Sequence, residues 1–513
     1  MNLKNIFTVA ILSVFSFSCN NILSEKTVKG PNIVFIMTDD HAYQAISTYN
    51  SGLISTPNID RIAEEGIRFD RAYVTNSICA PSRAVILTGK FSHLNGVTGN
   101  SQTFDGSQPT FPKILQENGY QTALVGKWHL KSHPTGFDYW NVLPGQGDYY
   151  SPDFIKQGKD TVYSGYVTDV ITDLSIEWLE NRDENKPFCL MVQHKAPHRS
   201  WMPDIQNLDL FNDRDFEFPS NFNDDLEGKE ALQDGRALTI KDVLQTDFDF
   251  KIPFDSLNGA GREWFYNEYQ DNLNRLSPEG RKKWDDSYRK EAIAYDSLKN
   301  DPEKLVKWKF QRYMEDYLRC VMSVDESIGE ISQWLKNNDM DQNTVIIYTS
   351  DQGMFLGEHG FFDKRLMYEE TFRTPLIIKY PEHIKKGLVT TELVQNLDIA
   401  PTILDIAGAK IPDDMQGEPL RTIWEDVDPN WRDEVYYHYY EKGFLVPPHY
   451  GVRTDRYKLI HFYDPVDTWE FYDLEVDPNE MNNLYWDASC QQTIEELKSE
   501  LIELKLKYKL PEE

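Results

Sequence analysis

Residues 31–37 and 344–349 are compact apolar runs that do not alternate with polar positions. Runs of that kind, bounded by polar residues, read as strands buried on both faces, the habit of a parallel sheet. Residues 121–126 and 187–192 read the same way. Between them the period lengthens. Over 57–65, Ile59, Ile62 and Ala63 fall on one helical face. Thr56 is placed to cap that helix, Pro57 suits its first turn and Gly66 can end it. Over 312–336, Val321, Val324, Ile328, Ile331 and Leu335 recur at spacings of three and four, which predicts an amphipathic helix packed on a sheet.

Strands alternating with helices predict an α/β fold. At 513 residues, a large domain over 30–429 and a smaller one over 430–513 are expected. Residues 201–310 break the alternation. They are rich in Asp, Asn and aromatic residues and read as an insertion covering one side of the large domain. Past residue 430, the short aromatic runs 435–439, 450–452, 457–461 and 470–472 predict a small antiparallel sheet. Residues 491–508 form a charged amphipathic helix.

The first residues have a different character. Lys4 precedes the apolar stretch from Ile6 to Phe17, which is too short to span a bilayer as a mature helix. Residues 1–19 therefore read as an export signal. Cys19, following Ser18, resembles a loose lipoprotein box, so a lipid anchor to a membrane is expected, with ordinary cleavage of the leader as the alternative. Export places the protein in the periplasm, at the outer membrane or on the cell surface.

The net charge of −30 excludes a nucleic-acid partner, which wants a basic footprint. It also means that any anionic substrate needs a locally basic pocket. There are five cysteines. Cys189 lies in an apolar run as a buried thiol, and Cys320 and Cys490 are left open as a pair.

The chemistry-bearing residues follow the strands. The first run ends in Asp39-Asp40 and the run 344–349 leads into Asp351-Gln352-Gly353. In open parallel sheets, sites form beyond the carboxyl ends of strands. Four oxygen ligands at two such ends suit a hard divalent cation, Ca2+ first. Lys127 and His129 follow another strand and share a face if the chain stays extended. His194 and His198 follow the strand at 187–192. Asp363, Lys364 and Arg365 form a later basic turn. Cys79-Ala80-Pro81-Ser82-Arg83 precedes Leu87-Thr88-Gly89-Lys90, and Pro81 fits a helix start that sets residue 79 beside positive N–H groups.

That last run closely resembles the signature of the formylglycine-dependent sulfatases, and the other motifs occur in that family's order. The resemblance implies an alkaline-phosphatase-like, mostly parallel sheet flanked by helices. It implies that a maturation enzyme oxidises Cys79 to formylglycine, whose hydrate attacks sulfur. It implies a metal held by Asp39, Asp40, Asp351, Gln352 and residue 79. Arg83, Lys127 and Lys364 would build the cationic pocket, His129 would hold the nucleophile and His198 would protonate the leaving alcohol, with His194 its rival.

The runs Thr135-Gly-Phe-Asp-Tyr-Trp140 and Leu143-Pro-Gly-Gln-Gly-Asp-Tyr-Tyr150 resemble bacterial N-acetylglucosamine-6-O-sulfatases. This implies exo-acting removal of the 6-O-sulfate of N-acetylglucosamine or glucosamine in a sulfated saccharide of heparan or mucin type. Asp363, Arg365, His449 and His194 are then expected near the sugar. Another sulfated position, a phosphonate or phosphate ester hydrolase and a noncatalytic binder of sulfated glycans are the alternatives.

Overall fold

The computed structural model describes residues 30–49, 52–233, 238–252, 262–425, 430–442 and 446–511. The export signal and Cys19 lie outside the described residues. Ten strands form one sheet: β1 (Asn32–Thr38), β2 (Ile67–Phe69), β3 (Gln121–Lys127), β4 (Tyr139–Leu143), β5 (Asp153–Lys156), β6 (Lys159–Val162), β7 (Phe188–Gln193), β8 (Thr344–Ser350), β9 (Leu376–Lys379) and β10 (Leu388–Thr390). Their spatial order is β10-β2-β9-β8-β1-β7-β3-β4-β5-β6. The five central strands, β8-β1-β7-β3-β4, are all parallel, and antiparallel pairings begin on both flanks.

The unalternating runs are buried on both faces, as expected. Along β1, Val34 and Ile36 join one hydrophobic core, whereas Ile33, Phe35 and Met37 join the other. Six helices bear on the argument: α1 (Pro57–Glu64), α2 (Cys79–Thr88), α3 (Val167–Asn181), α4 (Pro302–Asn337), α5 (Ile399–Ile406) and α6 (Gln491–Lys507). The predicted stripe Val321, Val324, Ile328, Ile331 and Leu335 lies on α4, within the first core. Ala84 of α2 and Ile403 of α5 lie in the second. Among the described residues, no helix is long and apolar enough to cross a membrane.

α4 starts ten residues before the predicted 312, at Pro302, with Asp301 accepting from the Lys304 N–H. Its first turns bury Trp308 and Phe310, aromatic residues that the sequence reading placed in the insertion. The rest of 201–310 contains the helices Arg262–Asn274 and Pro278–Leu298 and long connecting loops.

The C-terminal segment forms a four-stranded antiparallel sheet: β11 (Glu434–Tyr439), β12 (His449–Thr454), β13 (Tyr457–Phe462) and β14 (Thr468–Asp473). α6 packs on one of its faces. Cys320 and Cys490 do not pair; both thiols are free.

The cap of α1 differs from the expectation. Thr56 stands at the N-cap position but makes no cap bond. Its hydroxyl lies 3.2 Å from Asp60 Oδ1 and accepts from the Ser47 N–H at 2.9 Å. The free N–H groups of Asn58 and Ile59 instead donate to Asp325 Oδ1 on α4, at 3.0 and 2.9 Å. A carboxylate at a helix start meets both the orphan donors and the positive end of the dipole. Asp325→Ala should therefore destabilise the protein by about 1–2 kcal/mol, the usual loss for a cap. A lowered thermal midpoint with unchanged kcat would show it.

Candidate active site

The Asp39, Asp40 and Asp351 carboxylates converge where β1 and β8 end side by side. One oxygen from each lies within 4.8 Å of the others, and all three are fully buried. The register Thr38↔Ser350 makes this inevitable, because residues just beyond paired parallel positions emerge together. Gln352 donates to Asp40, and the Asp40 N–H donates to Asp351 Oδ1 at 3.1 Å. Gly353 must be glycine here. A Cβ would sit 2.2 Å from the Glu370 carbonyl oxygen and 2.4 Å from that of Arg373.

Three cations answer the three carboxylates. Lys127 Nζ binds Asp39 and Lys364 Nζ binds Asp40. Arg83 donates from Nε to Asp351 at 3.0 Å and from Nη1 to the Lys127 carbonyl (2.8 Å) and Gln193 Oε1 (2.9 Å). Arg83 thus has its donors on the ligand set and the strand ends, as a brace behind them. Burial alone would raise Asp39, but Lys127, His198, Arg83 and Lys364 hold its carboxyl well below the usual range. Asp351 goes the other way, pushed up to about 8 by burial and by Asp39, against the pull of Arg83. The donor set suits a hard divalent cation. It offers closely spaced oxygens, and Asp39 Oδ1 and Gln352 Oε1 are buried without a hydrogen-bond partner.

Cys79 is the first residue of α2 rather than the residue just ahead of it, and is fully buried. The sulfur stands within 4.8 Å of both an Asp39 oxygen and a His198 ring nitrogen. Burial, reinforced by Asp39, pushes the thiol pKa well above its ordinary value, so an unmodified thiol here is a poor nucleophile. Asn100 Oδ1 accepts the neighbouring Ala80 N–H at 3.1 Å.

His198 brings Nε2 to 3.8 Å from Asp40 Oδ2. Burial lowers its pKa well below the usual value. His129 does not follow an extended chain from Lys127; its φ is +56°. It nevertheless stays beside the same charges. Burial first and Lys127 second depress it to about 2, with Asp39 opposing. Asp40, Asp363 and Arg365 also have positive φ, at 68°, 72° and 93°. For residues other than glycine this is uncommon backbone; it also occurs elsewhere in the chain, as at Gln157, Asp339 and Glu480.

The expected sugar contacts divide. Asp363 and Arg365 flank Lys364, and Arg365 lines an open cleft of about 550 Å3 with Gly99, Asn100, Tyr440, Glu441 and Lys442. A cleft of similar size, about 580 Å3, near Tyr150, Asp169 and Arg275 holds none of these groups. His449 is fully buried with both ring nitrogens engaged. Nε2 accepts the Met367 N–H at 3.1 Å, and Nδ1 lies 2.8 Å from the Pro447 carbonyl oxygen. His194 is fully buried too, with Nε2 3.2 Å from Ser327 on α4, outside the groups gathered at Asp39 and Cys79.

Several participants went unread. Gln146 accepts from Lys127 at 2.5 Å. The Tyr437 hydroxyl accepts the Ser77 N–H at 3.3 Å and donates to the Arg365 carbonyl, tying the segments that carry Ser77 and Arg365 together. Gln146 lies in the run 143–150 singled out in the sequence, though with no role of its own there, and Gln193 ends a central parallel strand that was read only to residue 192.

Comparison with known proteins agrees with this geometry. Residues 31–409 match the Sulfatase family, and residues 357–507 match the family described as N-sulphoglucosamine sulphohydrolase, C-terminal. The N-acetylglucosamine-6-O-sulfatase of Bacteroides thetaiotaomicron is 49% identical over 501 residues, 96% of this chain and 89% of that protein. The human N-acetylglucosamine-6-sulfatase is 26% identical, over 80% of this chain and 68% of its own. A solved structure described as a complex with its substrate D-glucosamine-2-N,6-O-disulfate superposes with a TM-score of 0.90 at 49% identity, covering 94% of this chain and 98% of that one. With its nucleophile signature at the head of α2 and its carboxylates beyond two parallel strands, this chain belongs to the sulfatase family.

Proposed function

We propose that this sulfatase hydrolyses the 6-O-sulfate ester of N-acetylglucosamine or glucosamine at the end of a sulfated saccharide. The observation that carries the reading is the 49% identity, along 96% of the chain, to an N-acetylglucosamine-6-O-sulfatase. The relative solved with a 6-O-sulfated glucosamine supports it.

Residue 79, as formylglycine, would supply through its hydrate the hydroxyl that attacks sulfur. Asp39, Asp40, Asp351 and Gln352 would hold a Ca2+ ion, which supplies Lewis-acid polarisation of a sulfate oxygen. Lys127 and Lys364 stand where charge-assisted bonds can reach the sulfate oxygens and stabilise charge developing on them. Arg83 keeps Asp351 and the Lys127 backbone in place. His129 adds a neutral ring beside Lys127. His198 delivers a proton from Nε2 to the departing sugar oxygen. Arg365 and Asp363 border the cleft in which the sugar would lie.

Export would fit the substrate choice, since sulfated glycans are met outside the cytoplasm. We assign the leader to residues 1–19 from Lys4 and the apolar run behind it, and a lipid anchor to Cys19. With that leader the protein would sit in the periplasm, at the outer membrane or on the cell surface. A maturation enzyme that oxidises Cys79 is the further partner required.

Three outcomes are expected. Mass spectrometry of the peptide carrying Ala80-Pro81-Ser82-Arg83 should find an aldehyde in place of the Cys79 thiol in active enzyme; full activity from unmodified cysteine would contradict the reading. Ca2+ should raise the melting temperature, because a ligand that binds only the native state stabilises it. Asp351→Ala should abolish that rise and the activity together, whereas turnover surviving exhaustive chelation would exclude the metal. Finally, His198→Ala should slow hydrolysis of 6-O-sulfated N-acetylglucosamine by about 100- to 10,000-fold. The same change should slow an activated aryl sulfate far less, since a nitrophenolate leaves without a proton. Lys364→Ala should slow both substrates alike.

A further inference from the structure

His198 Nδ1 lies 2.5 Å from the carbonyl oxygen of Arg199, the next residue. A carbonyl can only accept, so Nδ1 carries the hydrogen. Nε2, the atom 3.8 Å from Asp40, is left to face the reacting groups. The angle of the imidazole is therefore tied to the peptide plane of Arg199.

That residue is gripped from the insertion. Arg199 Nε and Nη2 donate to the two Asp249 oxygens at 2.7 and 2.6 Å, a bidentate pair. Asp249 is buried, and its Oδ2 also accepts the Gln245 N–H at 2.6 Å. The guanidinium stands over Phe248, Phe265 and Phe362, at 5.5, 5.4 and 5.1 Å from the ring centroids. A planar fork held at both ends and against three rings has little freedom to turn. The backbone of His198 is tied as well: its N–H donates to the Lys195 carbonyl at 3.0 Å, and its carbonyl accepts the Trp201 N–H at 3.2 Å and the Tyr149 hydroxyl, but none of these bonds reaches the ring.

We propose that Asp249 is a positioning residue for His198. It fixes Arg199, and through the Arg199 carbonyl it fixes the ring that delivers the proton. This rests on the reading of His198 as the general acid. It also gives the insertion a task in the reaction although it supplies none of the reacting groups.

A double-mutant cycle on the full-length, formylglycine-bearing enzyme tests it, with 6-O-sulfated N-acetylglucosamine as substrate. Asp249→Asn should lower kcat by about tenfold or more, part of the roughly 100- to 10,000-fold that a general acid contributes, and leave KM within about threefold. In a His198→Ala background the same change should alter kcat by less than about twofold, because residues that act through one another are not additive. Equal losses in both backgrounds would overturn the proposal. So would a raised KM with kcat kept, which would make Arg199 a substrate contact. If His198→Ala itself leaves kcat intact, the acid assignment falls first, and the two failures are told apart.

Asp249→Asn leaves a buried guanidinium without its partner and can cost folding. The paired replacement Arg199→Met with Asp249→Leu removes both charges, a change that buried pairs often tolerate. Folded protein of that kind should show the same loss of kcat, and retention of full kcat would refute the role.

Discussion

Asp39, Asp40 and Asp351 share a site closed to water. Even after relaxation, burying one carboxylate costs several kcal/mol, and like charges side by side add to that. The surrounding design answers this difficulty. Lys127, Lys364 and Arg83 each pair with one of the three carboxyl groups, and removing one member of a buried ion pair typically costs about 3–5 kcal/mol. The balance also explains how a protein of net charge −30 can receive an anion. On the function proposed above, a divalent cation among the carboxylates and a sulfate among the lysines would compensate one another. The local field that matters is set within a few ångströms, and salt screens the remote surface.

The cations are not equivalent. Arg83 is planar and many-handed, and it bonds two side chains and a backbone carbonyl at once. The two lysines end in single points that can shift their donors to an arriving oxygen. The division between a fixed brace and adaptable contacts follows from side-chain shape. Support arrives from far along the chain. The insertion clasps Arg199, and the small sheet reaches the Lys364 turn through Tyr437 and His449.

The central strands, and the convergence of acidic residues beyond them, were legible because each doubly buried strand is a short apolar run bounded by polar residues. The paired acids then fell at known distances past each run. Features that depend on neighbours in space were not legible. Thr56 has the right chemistry for a cap, yet Asp325, more than 260 residues away, takes the donors. His129 was expected to continue an extended chain and instead turns through a positive φ. The start of α4 was hidden because its aromatic first turns resemble the composition of the insertion before it. His449 carries the right ring for a sugar contact, but whether its nitrogens are free depends on Met367 and Pro447. Gln146, on a glycine-rich loop, had no periodicity to mark it.

The ties between the small sheet and the Lys364 turn have a consequence in time. A ribosome makes β11 to β14 after every other strand of the fold, and chains generally fold from the first-made end. Until those strands dock, the Met367 amide and the Arg365 carbonyl lack their partners, and the loop bearing Ser77 is held from one side fewer. Cys79 is fully buried in the finished protein, so no macromolecule can reach its sulfur there. Any enzyme that converts this cysteine must therefore work on a growing or still-open chain, and the docking of the last-made sheet ends its opportunity. If residue 79 is converted as proposed, the contacts that close over it would also set the time available for the conversion.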